Sequence, residues 1–396
     1  MELLKEVREK FSKEVDFTKE DLFCGLHEAL KKVDNNAKTF IDTYPRAASI
    51  NNIYPGTKNG EDWDDWTAGF WTGMLWLSYE MTKKKEYRKV AEFQMKAYKA
   101  RIENKIHVNH HDLGFLFSLS AVAQHNVTGS PVAKEVGVMA AEHLMSRFKE
   151  KGQFIQAWGE LDDPNNYRLI IDCNMNVPLL FWATEVTGDN KYREIATKHI
   201  NTAASVVLRE DSSTHHTYYF DPETGAPLRG VTAQGYSDES AWARGQAWGV
   251  YGFPLAYSYT KDEKFIELYK KVTNYFLNKL PADNVCYWDL VFGDGSGQER
   301  DTSAAAIAVC GMLEMDKYLS DEDPDKVIYR NAVKAIMKSL MEKYTTKDLE
   351  YSNGLLTQAV YGKPQNSGVN ECNIWGDYYY LEAIVRMMKP EWKKYW

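Results

Sequence analysis

The run from Thr232 to Gly249, TAQGYSDESAWARGQAWG, concentrates residue types that recognise sugars and carboxylates. It contains the amide of Gln234, the indoles of Trp242 and Trp248 and the guanidinium of Arg244. An indole can cover the C–H face of a sugar ring, and arginine forms two parallel hydrogen bonds with a carboxylate. The run therefore indicates a site for an acidic sugar. The alternative is a helix start whose tryptophans pack in the core.

Two aspartates stand where helices of similar composition begin, Asp112 in HHDLGF and Asp172 in IIDCNMN. Neighbouring carboxyl groups can keep one member ionised while the other retains a proton near neutral pH. Acid–base chemistry on a sugar requires this division. Aspartate is also a common helix N-cap, so either residue alone has a structural explanation. A catalytic pair is indicated only if the two helix starts meet.

A repeated pattern predicts the elements that position these residues. A helix rich in Gly or Ala ends in a short polar turn, and an amphipathic helix with an aromatic residue near its start follows. The turns are MTKKKEY, VTGSPVA, VTGDNKY, YTKDEKF and, more loosely, YLSDEDPDKV. The inner helices are predicted to begin near Trp66, Asp112, Asp172, Arg244, Asp301 and Trp375.

With the helical spacing at 16–44, the pattern gives about twelve helices in six antiparallel pairs. We therefore predict an all-α (α/α)6 barrel in which residues 1–396 form a single domain. An open solenoid is the alternative, but the chain ends on an inner-type helix that could close a ring.

Strand-like sequence is scarce, and it falls in the loops beside the predicted site. His216–Asp221 is predicted as a strand followed by a turn, and Val285–Leu290 as a second short strand. The region from Pro45 to Asp65 is predicted as a polar loop. Because both strands precede inner helices, we expect the site at the end of the barrel where those helices begin.

Composition and charge exclude several classes of function. The chain has 44% hydrophobic and 26% charged residues and a net charge of −8, which disfavours nucleic acid and anionic membrane surfaces as partners. No stretch approaches the roughly 20 apolar residues of a membrane span, and the charged N-terminus does not resemble a signal peptide. The five cysteines are widely separated, which favours a reducing cytoplasm.

The sequence suggests no cofactor. It shows no phosphate-binding loop, dinucleotide fingerprint or Ser-His-Asp order, and FGDGSGQ is predicted to be a turn. His107, His110 and His111 lie close together, but they lack a third ligand at zinc-site spacing. We expect them to be solvated or to support other residues, with neither a metal nor an organic cofactor.

Taken together, the motifs resemble the unsaturated glucuronyl hydrolases of glycoside hydrolase family 88. The resemblance covers nearly the whole chain. The ordered motifs are DDWTAGFWTGMLWLSYE (64–80), HHDLGF (110–115), IIDCNMNVPLLFWA (170–183), THHTYYFDPETG (214–225), QGYSDESAWARGQAWGVYGF (234–253), RDTSAAAIA (300–308) and IWGDYYYLEA (374–383). The related family 105, which acts on unsaturated rhamnogalacturonan fragments, shares the fold.

The resemblance implies hydration of the C4=C5 double bond of an unsaturated uronic acid at the non-reducing end of a glycosaminoglycan fragment. By analogy, Asp172 protonates C4 and then activates water, while Asp112 holds ring hydroxyls and raises the proton affinity of Asp172. The same analogy assigns the substrate carboxylate to Arg244 with Gln234. The remaining residues implied to bind substrate are Trp66, Trp158, His216, Trp242 and Trp248.

Departures from the family pattern leave the substrate open. Members that prefer sulfated substrates tend to carry a basic residue where this chain has Ala233, and basic or hydroxyl groups where it offers Lys363 and Ser367. Unsulfated or lightly sulfated chondroitin or hyaluronan disaccharides are expected, with gellan- or xanthan-derived products as alternatives. A sugar 2-epimerase, which needs two opposed histidines, and a non-catalytic sugar-binding protein are the competing interpretations.

Overall fold

The computed structural model describes residues 1–61 and 65–396. Asp62, Trp63 and Asp64 lie outside the described residues, and with them part of the predicted 45–65 loop and the first residue of the 64–80 motif. The α-helices are α1 Lys5–Phe11, α2 Lys19–Thr39, α3 Ala68–Thr82, α4 Lys85–Glu103, α5 Leu113–Phe117, α6 Ala123–Thr128, α7 Pro131–Met145, α8 Cys173–Asn176, α9 Pro178–Thr187, α10 Lys191–Val206, α11 Ala243–Thr260, α12 Lys264–Asn278, α13 Thr302–Met315, α14 Lys326–Ser339 and α15 Ile374–Met388.

The helices form two concentric rings. The inner ring consists of α3, α5 with α6, α8 with α9, α11, α13 and α15, and most of its residues are buried. A π-helical turn, Ser118–Val122, joins α5 to α6. The outer ring consists of α2, α4, α7, α10, α12 and α14, which bury one face each. Successive inner helices contact one another and α15 contacts α3, so the ring closes. The predicted (α/α)6 barrel is confirmed, and the open solenoid is not formed.

Four of the turns between inner and outer helices share one hydrogen-bonding arrangement. A threonine at the helix end donates its hydroxyl to the carbonyl four residues earlier and accepts from the backbone N–H two residues later. The next residue adopts positive φ, which ends the helix. These pairs are Thr82-Lys83, Thr128-Gly129, Thr187-Gly188 and Thr260-Lys261. This explains the repeated Thr followed by Gly or Lys.

Glycines allow the inner helices to approach at backbone distance. A Cβ on Gly69 would lie 2.0 Å from the carbonyl oxygen of Phe115, and a Cβ on Gly311 would lie 2.4 Å from that of Val250. Only a residue without a side chain fits at such contacts. The inner ring is therefore tight, and its shape depends on a few positions.

The strands are short and lie in loops: β1 Tyr44–Pro45, β2 Gly56–Thr57, β3 Phe148–Lys149, β4 Phe154–Ile155, β5 Arg168–Ile170, β6 Thr217–Phe220, β7 Pro227–Val231, β8 Ala359–Gly362 and β9 Ser367–Glu371. The strand predicted at 216–221 is confirmed as β6, the centre of the antiparallel sheet β5-β6-β7. The strand predicted at 285–290 is wrong, because that segment makes only isolated bridges, Tyr287 with Arg300 and Asp289 with Trp242.

No helix among the described residues has the length and apolar character needed to cross a bilayer.

Replacing Gly311 by alanine is expected to lower the free energy of unfolding by about 1–3 kcal/mol, because the new methyl group would clash with the α11 backbone. Thermal melting would measure the change. Gly249→Ala is the matched control on the same ring, since its Cβ would meet nothing closer than 3.5 Å. That variant should be neutral or stabilising, as alanine is the better helix former. Equal melting temperatures for the two variants would contradict the close-packing argument.

Candidate active site

A cavity of about 730 Å³ opens at the end of the barrel where the inner helices begin. The helix starts contribute aspartates to its lining, and the β5-β6-β7 sheet and the β8-β9 hairpin contribute its walls. Six of the nine residues predicted for the site line this cavity: Trp66, Asp112, Trp158, Asp172, His216 and Gln234. The structure therefore brings together residues that lie up to 168 positions apart, from Trp66 to Gln234.

Asp112 and Asp172 meet across a buried histidine. The Nε2 atom of His111 lies 3.3 Å from Oδ1 of Asp112 and 3.3 Å from Oδ1 of Asp172. The His111 side chain is 1% exposed, whereas the two carboxyl groups retain some access to the cavity. One imidazole therefore lies between the two acids, where it would neutralise part of their charge when protonated.

The environment separates the proton affinities of the two acids. Burial raises the pKa of Asp172 above its usual value, and the nearby charge of Asp112 adds to this, while His111 opposes it. Burial also acts to raise the pKa of Asp112, but His111 and His110 outweigh it and hold this pKa below the usual range. Although burial disfavours its charge, the pKa of His111 is raised by Asp112 and Asp172. The arrangement favours a protonated Asp172 beside an ionised Asp112.

The two helix starts are tied together by Asn176. Its Oδ1 accepts a hydrogen bond from the backbone N–H of Phe115 at 3.0 Å, and its Nδ2 donates to the carbonyl of Asp172 at 3.3 Å. A Cβ on Gly114 would lie 2.3 Å from the Cα of Asn176, so the α5 and α8 backbones touch at this point. The separation of the two catalytic candidates is therefore set by backbone packing.

His216 directly precedes β6 and lines the cavity as a neutral ring. Its Nδ1 accepts from the backbone N–H of Ala233 at 2.8 Å, which leaves the proton on Nε2. Burial lowers the pKa of His216 to about 3, with Arg244 adding to the effect. The amide of Gln234 donates to the carbonyl of Tyr361 at 2.9 Å.

Arg244 lies behind the cavity surface, contrary to the position expected of a residue that grips the substrate directly. It is 2% exposed, and its guanidinium donates to Asp301 at 2.9 Å and to the carbonyls of Val360 and Tyr361, each at 2.6 Å. The guanidinium also packs over the Trp242 ring, 4.4 Å from its centroid. Arg244 thus supports the cavity wall, and its role as a carboxylate ligand stays a prediction.

Trp242 and Trp248 do not line the cavity. Trp242 is 6% exposed and packs edge-on against His216, with ring centroids 4.5 Å apart. Trp248 is 1% exposed and packs against Phe115 and Tyr379 in the core. A ring with no free face cannot stack on a sugar, so the structure corrects the stacking role predicted for Trp248.

His111 is the site residue that the sequence argument missed. The histidines of 107–111 were expected to be solvated or supporting, yet the structure separates them. His110 lines the cavity and accepts from the Asp112 backbone N–H at 3.0 Å, whereas His111 is buried between the acids. The ligand atoms of His111, Asp112 and Asp172 lie within 4.8 Å of one another, close enough to hold a cation, but an imidazolium already serves both carboxylates. The doubled histidine directly before Asp112 was the available signal.

Sequence comparison now decides the family. The sequence model of glycosyl hydrolase family 88 matches residues 32–390. The chain belongs to glycosyl hydrolase family 88. The resemblance drawn from the motifs is confirmed, and the chain is a glycoside hydrolase.

Relatives within family 88 match almost end to end. The unsaturated chondroitin disaccharide hydrolase of Streptococcus agalactiae is 52% identical over 379 residues, which cover 96% of this chain and 94% of that protein. The crystal structure of the unsaturated glucuronyl hydrolase from the same species superposes with a TM-score of 0.95 at 50% identity, covering 100% of this chain and 98% of that chain. A mutant of that enzyme in complex with dGlcA-GalNAc6S gives a TM-score of 0.89 at 46% identity over the same shares of the two chains.

The substitution His111→Gln tests the charge arrangement of this family 88 site. Removing the cation should raise the pKa of both carboxyl groups, so both limbs of the pH profile of kcat/KM should move to higher pH. The acidic limb follows ionisation of Asp112, and the basic limb follows loss of the Asp172 proton. His125→Gln, a change at a partly buried histidine on α6, serves as the control. A lower rate with an unshifted profile would show that His111 only fills space.

Proposed function

We propose that this protein removes the 4,5-unsaturated uronic acid from the non-reducing end of lyase-generated chondroitin- or hyaluronan-type oligosaccharides. One observation carries the proposal: Asp112 and Asp172 line the cavity side by side, each 3.3 Å from Nε2 of the buried His111. In this arrangement burial raises the pKa of Asp172, while His111 and His110 hold the pKa of Asp112 low. Membership in family 88 and the names of the relatives support the same reaction.

The proposed reaction is hydration followed by collapse of the product. Asp172 donates its proton to C4 of the enol ether, and positive charge develops at C5 and the ring oxygen. The Asp172 carboxylate then removes a proton from the water whose oxygen bonds to C5, which restores the acid. The C5 hemiketal then opens: the C5–O5 bond breaks, the C5 hydroxyl becomes a ketone, and its proton passes to O5, which becomes a hydroxyl on C1. The C1 hemiacetal collapses to an aldehyde, and the next sugar leaves with the proton of that hydroxyl. Asp112 accepts hydrogen bonds from ring hydroxyls and keeps the proton affinity of Asp172 high.

The cavity offers apolar faces and neutral donors for the sugar. Trp158 is 37% exposed and has ring surface to stack on a sugar beyond the unsaturated one. Trp66 lines the cavity with its Nε1 tied to the Tyr361 hydroxyl at 3.1 Å, which fixes the ring. Neutral His216 can donate from Nε2 without adding charge near Asp172. The imidazolium of His111 supplies the positive charge beneath the site.

The cavity wall favours unsulfated substrates. Where a sulfate-binding base would stand, the wall presents Ala233. The neighbouring Gln365 and Ser367 offer an amide and a hydroxyl, which can hydrogen-bond to a sulfate but carry no positive charge. The nearby Lys363 is paired with Glu299 at 2.5 Å. Recognition of a sulfate gains most from a cation whose donors are free. We therefore assign unsulfated disaccharides as the preferred substrates.

We also propose that the protein is cytoplasmic. All five cysteines are free thiols in the structure, four of them buried. Unpaired thiols persist in reducing compartments.

Asp172→Asn tests the reaction, because asparagine keeps the shape of the side chain and cannot donate an acid proton. We expect kcat to fall by a factor of about 10²–10⁴, with folding intact. The assay follows loss of the ultraviolet absorbance of the conjugated double bond in unsaturated chondroitin disaccharide. Asp189→Asn, at an exposed turn, is the control. In the same assay, if the wild-type protein formed an isomer and retained the double bond, it would be an epimerase. If it bound the sugar saturably and formed no product, it would be a sugar-binding protein.

Ala233→Arg tests the assignment of substrate. A guanidinium at this cavity wall should raise kcat/KM for 6-sulfated relative to unsulfated disaccharide by roughly tenfold, the value of one charge-assisted hydrogen bond. Ala226→Arg, in the exposed turn between β6 and β7, controls for added charge. A wild-type enzyme that already prefers the sulfated disaccharide would refute the assignment.

A further inference from the structure

A row of two arginines and one tyrosine crosses the β5-β6-β7 sheet, two residues beyond the strand ends that border the cavity. Arg168 of β5 pairs with Tyr219 of β6, and Tyr219 pairs with Arg229 of β7. Directly paired residues of antiparallel strands project from the same face of a sheet. These three residues, the arginine row, therefore form one line across the sheet. Neighbouring strands lie ~4.8 Å apart, so the line spans about 10 Å at the backbone.

The arginine row is continuous with the cavity wall. Ile170 lines the cavity and lies two residues after Arg168 on the same strand, so both side chains belong to one face of the sheet. The Arg168 guanidinium lies 4.5 Å from the ring centroid of Trp158, which also lines the cavity. The row therefore begins where the stacking surface of the cavity ends.

The guanidinium groups of the row are held by aromatic rings and not by acids. Arg168 lies 5.4 Å and Arg229 5.7 Å from the ring centroid of Tyr219, one from each neighbouring strand. Arg168 donates to the Tyr219 hydroxyl, while its Nε is buried without a hydrogen-bond partner. Among the described residues, no carboxylate lies within ion-pair distance of either arginine. Two arginines without acidic partners are notable in a chain of net charge −8.

We propose that the arginine row is a further substrate subsite, which binds the carboxylate of the third sugar of an unsaturated tetrasaccharide. This inference rests on the proposed function. With the unsaturated ring at Asp172 and the second sugar on Trp158, the next sugar reaches the row. Uronate and hexosamine alternate in these polymers, so the third sugar carries a carboxylate. A planar guanidinium beside an aromatic face suits an acidic sugar, because it pairs with the carboxylate while the ring covers C–H groups.

The arginine row should bind a tetrasaccharide but contribute nothing to the binding of a disaccharide. A disaccharide ends at Trp158 and does not reach Arg229, which lies on the outermost strand and is exposed. A tetrasaccharide gains an interaction between exposed charges, which salt screens over a length of about 8 Å at physiological ionic strength. The preference of the wild-type enzyme for the tetrasaccharide should therefore decline as salt is added.

The test compares kcat/KM for unsulfated unsaturated tetrasaccharide and disaccharide in Arg229→Gln and Arg229→Lys. The glutamine variant should lose roughly three- to tenfold on the tetrasaccharide and stay within about twofold on the disaccharide. The lysine variant keeps the charge and should lose less. Arg88→Gln removes an exposed arginine of α4, which pairs with Glu92, and should change neither substrate.

Three results would overturn the proposal. The first is an equal effect of Arg229→Gln on both substrates, and the second is no effect on the tetrasaccharide. The third, with 6-sulfated disaccharide assayed in parallel, is a loss confined to that substrate, which would assign the row to sulfate. Calorimetric binding of the tetrasaccharide to Asp172→Asn, with and without Arg229→Gln, makes the comparison without turnover. Failure of the reaction and failure of the subsite can thus be told apart.

Discussion

Backbone contact between two inner helices is the constraint on which the active site depends. The start of α5 touches α8 where Gly114 faces Asn176, and the Asn176 side chain hydrogen-bonds to backbone groups of both helix starts. Asp112 and Asp172 precede these helices directly, so their separation follows from helix packing. The closed inner ring resists deformation, because at Gly114 the two backbones are in direct contact and no side chain between them can change its conformation. The fold thereby holds two acids at short range without flexible loops.

Holding two acids together in a largely buried position is costly unless a counter-charge is present. The buried imidazole of His111 supplies that charge while its own pKa is raised by the same two carboxyl groups. The three groups lie within contact distance, so their protonation equilibria are coupled. The reactivity of Asp172 is thus a property of the cluster.

The barrel and the positions of Asp112 and Asp172 could be predicted from the sequence, because both depend on patterns of neighbouring residues. The Thr-Gly and Thr-Lys turns end helices through hydrogen bonds within a segment of only seven residues, so a local sequence pattern predicts them. The helix starts at Asp112 and Asp172 were placed within one residue for the same reason. The roles of Arg244 and Trp248 depended on distant residues. Arg244 donates to Val360, 116 positions away, and no local pattern announces that contact.

Contacts of this kind fix the backbone of the cavity wall without involving all of its side chains. Arg244 joins the start of α11 to Asp301 before α13 and to the carbonyls of β8, and so anchors the hairpin that faces the substrate. Residues that the hairpin and its neighbours turn toward the cavity, such as Ala233 and Ser367, have no part in that anchor. Substitutions at these positions therefore leave the packing around the acid pair unchanged. The positions of Asp112 and Asp172 are therefore constrained by backbone packing, whereas the side chains of Ala233 and Ser367 are not.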